Sequence, residues 1–338
     1  MILRRAWTAL GWGVAAVVLA IAALCPLLFS TYFTSAVAVT VLWSGLCAAS
    51  LAFLAGYSGM VSLAQTALFG VAAFVTAKLV VESHWNGWLA ALGAIGVALL
   101  VGLLFGAIAS GSEGIYFLMI TLAFAVITYY YFSQVPTFGA HEGINGVMPP
   151  KLLGDPVRHP TRIYYAAFLC CVVVYLAVRY VARSAFGLTL QGVRDDPVRM
   201  TALGFHVRLH RTLGFAAGAL IAAIAGVLSV WHNTRVSPGS IDLTRTIDIL
   251  VMAVIGGLYR LEGAWIGAFV FTMLDTYARG ISDRFETYIG LIFLAIVVVS
   301  PDGVMGLWRS VDRRVRGFAG RGGRPPEGLA TPAEEAPA

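Results

Sequence analysis

Uninterrupted apolar runs of about 20 residues, the length an α-helix needs to cross the hydrocarbon layer of a bilayer, constrain this chain more than any other feature. Read against the Gly, Pro and charged interruptions, they give ten hydrophobic helical segments: 7–29, 36–55, 64–81, 88–109, 115–133, 163–182, 212–231, 247–258, 263–279 and 287–300. None shows the alternation over roughly ten residues that marks a membrane-barrel strand. Only 12% of residues are charged, against roughly 25% in soluble domains. The pattern therefore predicts an all-α polytopic membrane protein. Segment 247–258 is too short to cross alone and reads as a half-helix packed among its neighbours.

Lys and Arg positions orient the spans, because cytoplasmic loops collect them. The first run follows Arg4 and Arg5. It exceeds a signal peptide's apolar core of about 7–15 residues and precedes no good A-x-A site, so it reads as an uncleaved first span with a cytoplasmic N-terminus. With ten reversals, fifteen of the 23 Lys and Arg residues fall inside, seven outside, and Lys78 within a span. Merging 247–258 with 263–279 into one crossing would put the arginine-rich tail outside. Residues 134–162 become a long external loop and 183–211 a cytoplasmic insert. Residues 1–308 then form the transmembrane domain, and 309–338, which lack apolar anchors, a disordered cytoplasmic tail.

Several functions are excluded. The net charge of +6 sits between spans and at the termini, with no basic stripe interleaved with aromatics, so no nucleic acid is expected. Cys25, Cys47, Cys170 and Cys171 lie in apolar runs without C-x-x-C spacing or nearby histidines, which indicates neither disulfides nor a metal site. No H-E-x-x-H, nucleophile motif or intramembrane carboxylate pair suggests an enzyme. Neither lysine, Lys78 or Lys151, follows glycine, so no G-x-x-x-x-G-K-[ST] phosphate loop exists. If ATP drives this protein, the ATP and Mg²⁺ are bound by another chain; this chain carries no cofactor.

The insert at 183–211 holds five arginines and two aspartates. Arg194, Asp195 and Asp196 precede Pro197, an acidic N-cap with proline at the first helical position. A short helix over 198–203 follows, ended by Gly204. One side of it offers Val198, Met200, Ala202 and Leu203 as apolar contacts, for the membrane interface or for a groove on another protein; a plain amphipathic loop is the alternative. Gly56-Tyr57-Ser58-Gly59, with Ser62 and Gln65, interrupts the apolar pattern and permits a broken helix beside a translocation path, or a simple packing turn. Gly214, Gly218, Ala222 and Gly226 make a small-residue stripe for helix packing, as do Gly102 with Gly106, Gly263 with Gly267, and Gly256-Gly257. Asp275 reads as an interfacial anchor.

Together these elements resemble the branched-chain amino acid ATP-binding cassette permeases, in their LivM-type branch, over roughly residues 40–307. Gly56 to Gln65 is similar to that family's G-Y-x-G-x-x-S-L-G motif. Gly143-Ile144-Asn145-Gly146 is similar to the end of its external glycine-rich region, and Ser184 to Gly204 to its coupling region. Ile255 to Ala268 and Ser300 to Leu307 are similar to its closing glycine-rich blocks. Departures occur at Ala64, His141-Glu142, Tyr259-Arg260 and Pro197 with Arg199-Met200.

The resemblance implies a type II importer-like fold in the bacterial inner membrane, with both termini cytoplasmic. The subunit would serve branched-chain amino acids or related small amino acids and amides. It would pair with a second homologous permease, two cytoplasmic ATP-binding subunits and an extracytoplasmic solute-binding protein. Residues 194–204 would couple to the ATPase. Gly56 to Gln65, with Gly143, Asn145 and Gly146, would line the path. An ATP-independent secondary transporter or channel is the rival.

Overall fold

Helix α1, Val39–Phe53, is apolar on every side and buried almost throughout, so it forms the centre of the bundle rather than its surface. The computed structural model describes residues 33–154 and 160–278, with isolated positions 26, 287, 290, 291, 293, 294 and 303. Segments 7–29 and 287–300 and the tail 309–338 lie outside the described residues, apart from those isolated positions. The other eight anticipated segments are all helical. They are α1, α2 (Gln65–Val81), α3 (Gly87–Ala109), α4 (Gly114–Gln134), α5 (Pro160–Arg183), α8 (Val207–Asn233), α9 (Leu243–Gly256) and α10 (Leu261–Ala278). The insert adds α6 (Ala185–Asp195) and α7 (Pro197–Ala202). Among the described residues, five helical stretches are long and apolar enough to cross a membrane, namely Val39–Ser58, α3, α4, α5 and α8; α2 is a shorter apolar helix.

Helix α8 joins α1 at the centre and packs against α1, α2 and α3. Helices α3, α4 and α5 are peripheral and expose Leu92, Leu100, Leu104, Ile127, Leu169 and Leu176 outward. Such a surface is stable against lipid tails and not against water.

Helix directions follow from pairwise contacts. Leu63 meets Thr121 and Phe74 stacks on Phe132, so α2 and α4 run parallel. Gly226 packs on the Phe69 carbonyl and Gly214 on Ser58, which makes α8 parallel to both. Gly102 meets Ala219 while Gly106 meets Phe215, so α3 runs the other way. Gly256 against Gly263 and Met252 against Gly267 make α9 and α10 an antiparallel hairpin, turned at Gly257 with φ 111°. Segments eight and nine therefore reverse the chain, as the arginine distribution requires.

The connections gather at two ends. One collects 59–64, 110–113, the insert and 257–260, fastened by Arg211–Glu113 at 2.8 Å and Arg179–Glu262 at 3.0 Å. The other holds 82–86, 135–154 and 234–240. There Lys78 lies over the Phe138 ring and pairs with Glu82 at 3.7 Å. A two-residue antiparallel ladder, Ile144–Asn145 with Arg235–Val236, ties the long loop to the end of α8. The all-α expectation omits this pair, because two residues give no periodic signal.

The small-residue stripe of α8 serves three partners, the end of α1, α6 and α2. Gly214 faces Ser58 and Leu190, Gly218 faces Leu54, and Gly226 meets the backbone of Phe69 and Ala73, with Ala222 fully buried between them. All three close approaches depend on the missing side chains.

Candidate functional site

Helix α1 ends in a widened π-helical turn, Leu54–Ser58, and Gly59 then takes the left-handed conformation with φ 67°. Residues 60–64 are not helical, and α2 begins at Gln65. The break is deep, with Ser58, Ser62 and Gln65 all buried. Part of its backbone is served locally, since Ser62 accepts from the Ala64 N–H at 3.2 Å and Thr121 from the Leu63 N–H at 3.2 Å. The Ser58 hydroxyl and both Gln65 amide atoms have no protein partner, although Gln65 is only 1% exposed.

The insert folds onto this break. Ser184 caps α6 by accepting from the Gly187 N–H at 3.4 Å. Gly187 lets α6 turn tightly back on Val181 and Ala182 at the end of α5. Leu190 and Val193 are buried, Leu190 beside Gly214. The Arg194 stem lies over Gly59, so closely that a Cβ there would fall 2.6 Å from Arg194 Cγ. Arg194 Nη1 donates to the Gly56 carbonyl, while Nε and Nη2 reach Asp195 at 2.8 and 2.7 Å. Tyr259, in the α9–α10 turn, packs its backbone on Gly56 from another direction. Helix break, insert and hairpin turn thus meet at one point.

Helix α7 takes the form its sequence predicts. Asp196 accepts from the Arg199 N–H at 2.9 Å, Pro197 occupies the first turn, and Gly204 at φ 90° stops the helix. Its apolar residues do not share one side, which corrects the sequence reading. Met200 packs inward on Gly192. Val198 and Leu203 point outward at 78% and 66% exposure, and Ala202 is also exposed. The reason is the helical period: 198 and 202 are one turn apart, whereas 200 lies nearly opposite 198. Asp196→Ala is expected to remove about 1 kcal/mol of capping, raising amide exchange over 199–203 about fivefold and leaving α8 unchanged; hydrogen exchange by mass spectrometry reads this out.

The second group of anticipated path residues lies elsewhere. Gly143, Asn145 and Gly146 sit in and beside the two-residue ladder at the opposite end of the bundle. A Cβ on Gly143 would fall 2.1 Å from the Val236 carbonyl, and Val147 N–H bonds the Thr234 carbonyl at 2.9 Å. Gly143 thus anchors the loop, and the structure does not bring this group to the helix break.

One feature the sequence reading lacks is a cavity of about 400 Å³ between α4 and the start of α9, with Tyr129, Tyr130, Asp242, Thr244 and Thr246 in its wall. The reading starts segment eight at 247 and leaves Asp242 and Arg245 in a loop. The available signal was Asp242 itself, an N-cap residue type just before Leu243, whose carboxylate accepts from the Arg245 backbone N–H at 2.8 Å.

The model of the family described as "Branched-chain amino acid transport system / permease component" matches residues 33–301. The high-affinity branched-chain amino acid transport system permease protein LivM of Escherichia coli K12 is 21% identical over 281 residues, covering 75% of this chain and 65% of that protein. BraD of Pseudomonas aeruginosa, named for the same kind of system, is 24% identical over 161 residues, 46% of this chain and 52% of BraD. LivH of E. coli K12 is 25% identical over 146 residues, 43% of this chain and 46% of LivH. The chain thus spans just under two thirds of the LivM relative's length. No solved structure matches significantly.

Proposed function

The chain belongs to the branched-chain amino acid transport system permease family, and on that premise we propose that it is the membrane subunit of an importer driven by ATPases on separate chains. One observation carries the reading. Val198 and Leu203 stand exposed on a capped helix at the arginine-rich end of the bundle. Through α6 and Arg194 that helix is joined to the backbone of the helix break. An apolar pair surrounded by charge is suited to a groove on a soluble protein. A push on α7 reaches Gly56, and through Gly56 both α1 and the α9–α10 turn.

Resemblance to both LivM and LivH supports a pair of related permeases. The absence of a phosphate loop in the sequence supports a separate ATPase. The arginine-rich end is then cytoplasmic, and the opposite end, with the tethered 135–154 loop, receives solute from an external binding protein. The cargo is a branched-chain amino acid or a related small amino acid or amide.

Affinity purification of the full chain from its native membrane, in mild detergent, tests the assembly. A phosphate-loop ATPase is expected to co-purify in near-stoichiometric amount. Reproducible purification without any such ATPase contradicts the reading.

A further inference from the structure

We propose that the cavity between α4 and α9 is the site where the transported solute is held within the membrane, and that Asp242 receives the solute's ammonium group. The proposal rests on the importer reading above and goes beyond it, because neither the sequence motifs nor the family match points to these residues.

Depth is the first argument. Ile241 packs on Gly70 so closely that a Cβ there would fall 2.3 Å from Ile241 Cγ2. Gly70 lies five residues into α2, about 8 Å past the helix break. On α4, Thr121 marks the level of the break through its bond to Leu63; the wall residue Ala125, about 6 Å beyond it, lies at the middle of the helix, and Tyr129 lies about 8 Å from its far end. The chain therefore leaves α8, crosses the ladder at Val236, turns through Pro238–Ser240 and re-enters the bundle before α9 starts. Helix α9 is a half-helix of 14 residues, about 21 Å, and its first turn opens at the cavity rather than at a bundle end.

The second argument is charge. Asp242, Arg245 and Asp248 occupy this first stretch of α9, with Arg245 43% and Asp248 25% exposed and their charges 3.5 Å apart. A face carrying three charges at that depth is not stable against lipid, so it borders a water-filled route or protein. The same helix shows Leu243 and Ile247 outward, which leaves an amphipathic wall beside Tyr129 and Tyr130.

The third is chemistry. A cavity of about 400 Å³ falls within the range of small-molecule sites, roughly 300–1,000 Å³. Its wall offers a carboxylate at Asp242, hydroxyls at Thr244 and the two tyrosines, and apolar surface from Ala125, Val126 and Leu243. That combination fits a small zwitterion with an aliphatic side chain. The ammonium meets Asp242, the carboxylate accepts from hydroxyls, and the side chain lies against α4.

The test uses the complete transporter, with its ATPases and binding protein, in proteoliposomes supplied with radiolabelled leucine. Asp242→Asn preserves the helix cap, since asparagine caps as well as aspartate, but removes the charge. Leucine uptake is expected to fall about tenfold or more, the loss of one charge-assisted hydrogen bond. The mutant complex is expected to co-purify with its ATPases in the same proportion as the unmutated one, because the coupling end is untouched. Thr244→Trp, at an exposed wall position, is expected to block uptake by filling the cavity, while Thr244→Ser retains it. Thr244→Cys should react with a small water-soluble thiol reagent, and saturating leucine should slow the reaction. Leucine uptake at the unmutated rate in both Asp242→Asn and Thr244→Trp overturns the proposal and leaves the importer reading intact. Failure of the unmutated complex to take up leucine, isoleucine, valine or a small amide with ATP overturns both.

Discussion

Replacing Gly267 by leucine is expected to leave no folded, monodisperse protein in detergent extracts of the membrane. A Cβ at this position would fall 1.8 Å from the Met252 carbonyl oxygen and 2.7 Å from the Gly256 nitrogen. Both are backbone atoms of α9, so no rotamer change relieves the clash. The hairpin can accept the side chain only by separating α9 from α10, and Gly256 and Gly263 hold the neighbouring turn equally close. Overpacking of this kind typically costs about 1–3 kcal/mol where side chains can yield, and more where they cannot. Even Gly267→Ala should lower the midpoint of thermal unfolding by a few degrees, on the order of 2 °C per kcal/mol in a chain of this length. Gly96→Ala is the control. Nothing lies within 4 Å of its would-be Cβ, and alanine gains up to about 1 kcal/mol of helix propensity, so stability holds or rises. Fluorescence-detected size exclusion and thermal melts of the three variants decide. A well-folded Gly267→Leu protein would show that the α9–α10 contact is misplaced.

Leu203→Asp is expected to abolish both ATPase association and transport while leaving the permease itself as stable as before. Leu203 caps the end of α7 and is 66% exposed, so the fold draws little from its side chain. In a docked complex the same side chain would be a central apolar anchor, and truncating such an anchor removes about 2–4 kcal/mol, roughly 30-fold or more in affinity. A carboxylate in its place adds the desolvation of an unpaired charge. Leu203→Met should restore association because it keeps the apolar volume. Co-purification and uptake are the readouts, with the melting temperature as the fold control. Unchanged association and uptake in Leu203→Asp would place the ATPase contact elsewhere.

Much of the helical plan is legible because bilayer spans are written as long apolar runs, and every anticipated segment among the described residues is a helix. Helix α7 is legible for a different reason. Asp196, Pro197 and Gly204 act on their own backbone neighbours, so the sequence pattern is itself the mechanism. The link between Arg194 and Gly56 spans 138 positions, and no local pattern announces it. Glycine spacing along α8 marks a packing stripe but not that Gly214 meets Ser58 while Gly226 meets α2.

The start of α9 shows a subtler failure. Asp242 and Arg245 lower the apolar density, so a hydropathy reading begins the segment at 247 and places these two charges in a loop. The structure begins the helix at Leu243, with Asp242 as its cap and Arg245 43% exposed on its first turn. Polar residues at the start of a helix erase the signal that defines a span, so the cavity beside Asp242 leaves no mark in the hydropathy pattern.

The central claim is that this permease moves solute only when a separate ATPase acts on its arginine-rich end. The most direct measurement is leucine uptake into sealed proteoliposomes holding the permease pair, with binding protein and ATPase supplied and ATP present on the ATPase side only. The account predicts accumulation that requires ATP, ATPase and binding protein together and persists when proton and sodium gradients are collapsed. Accumulation driven by an ion gradient without ATPase or ATP would contradict it.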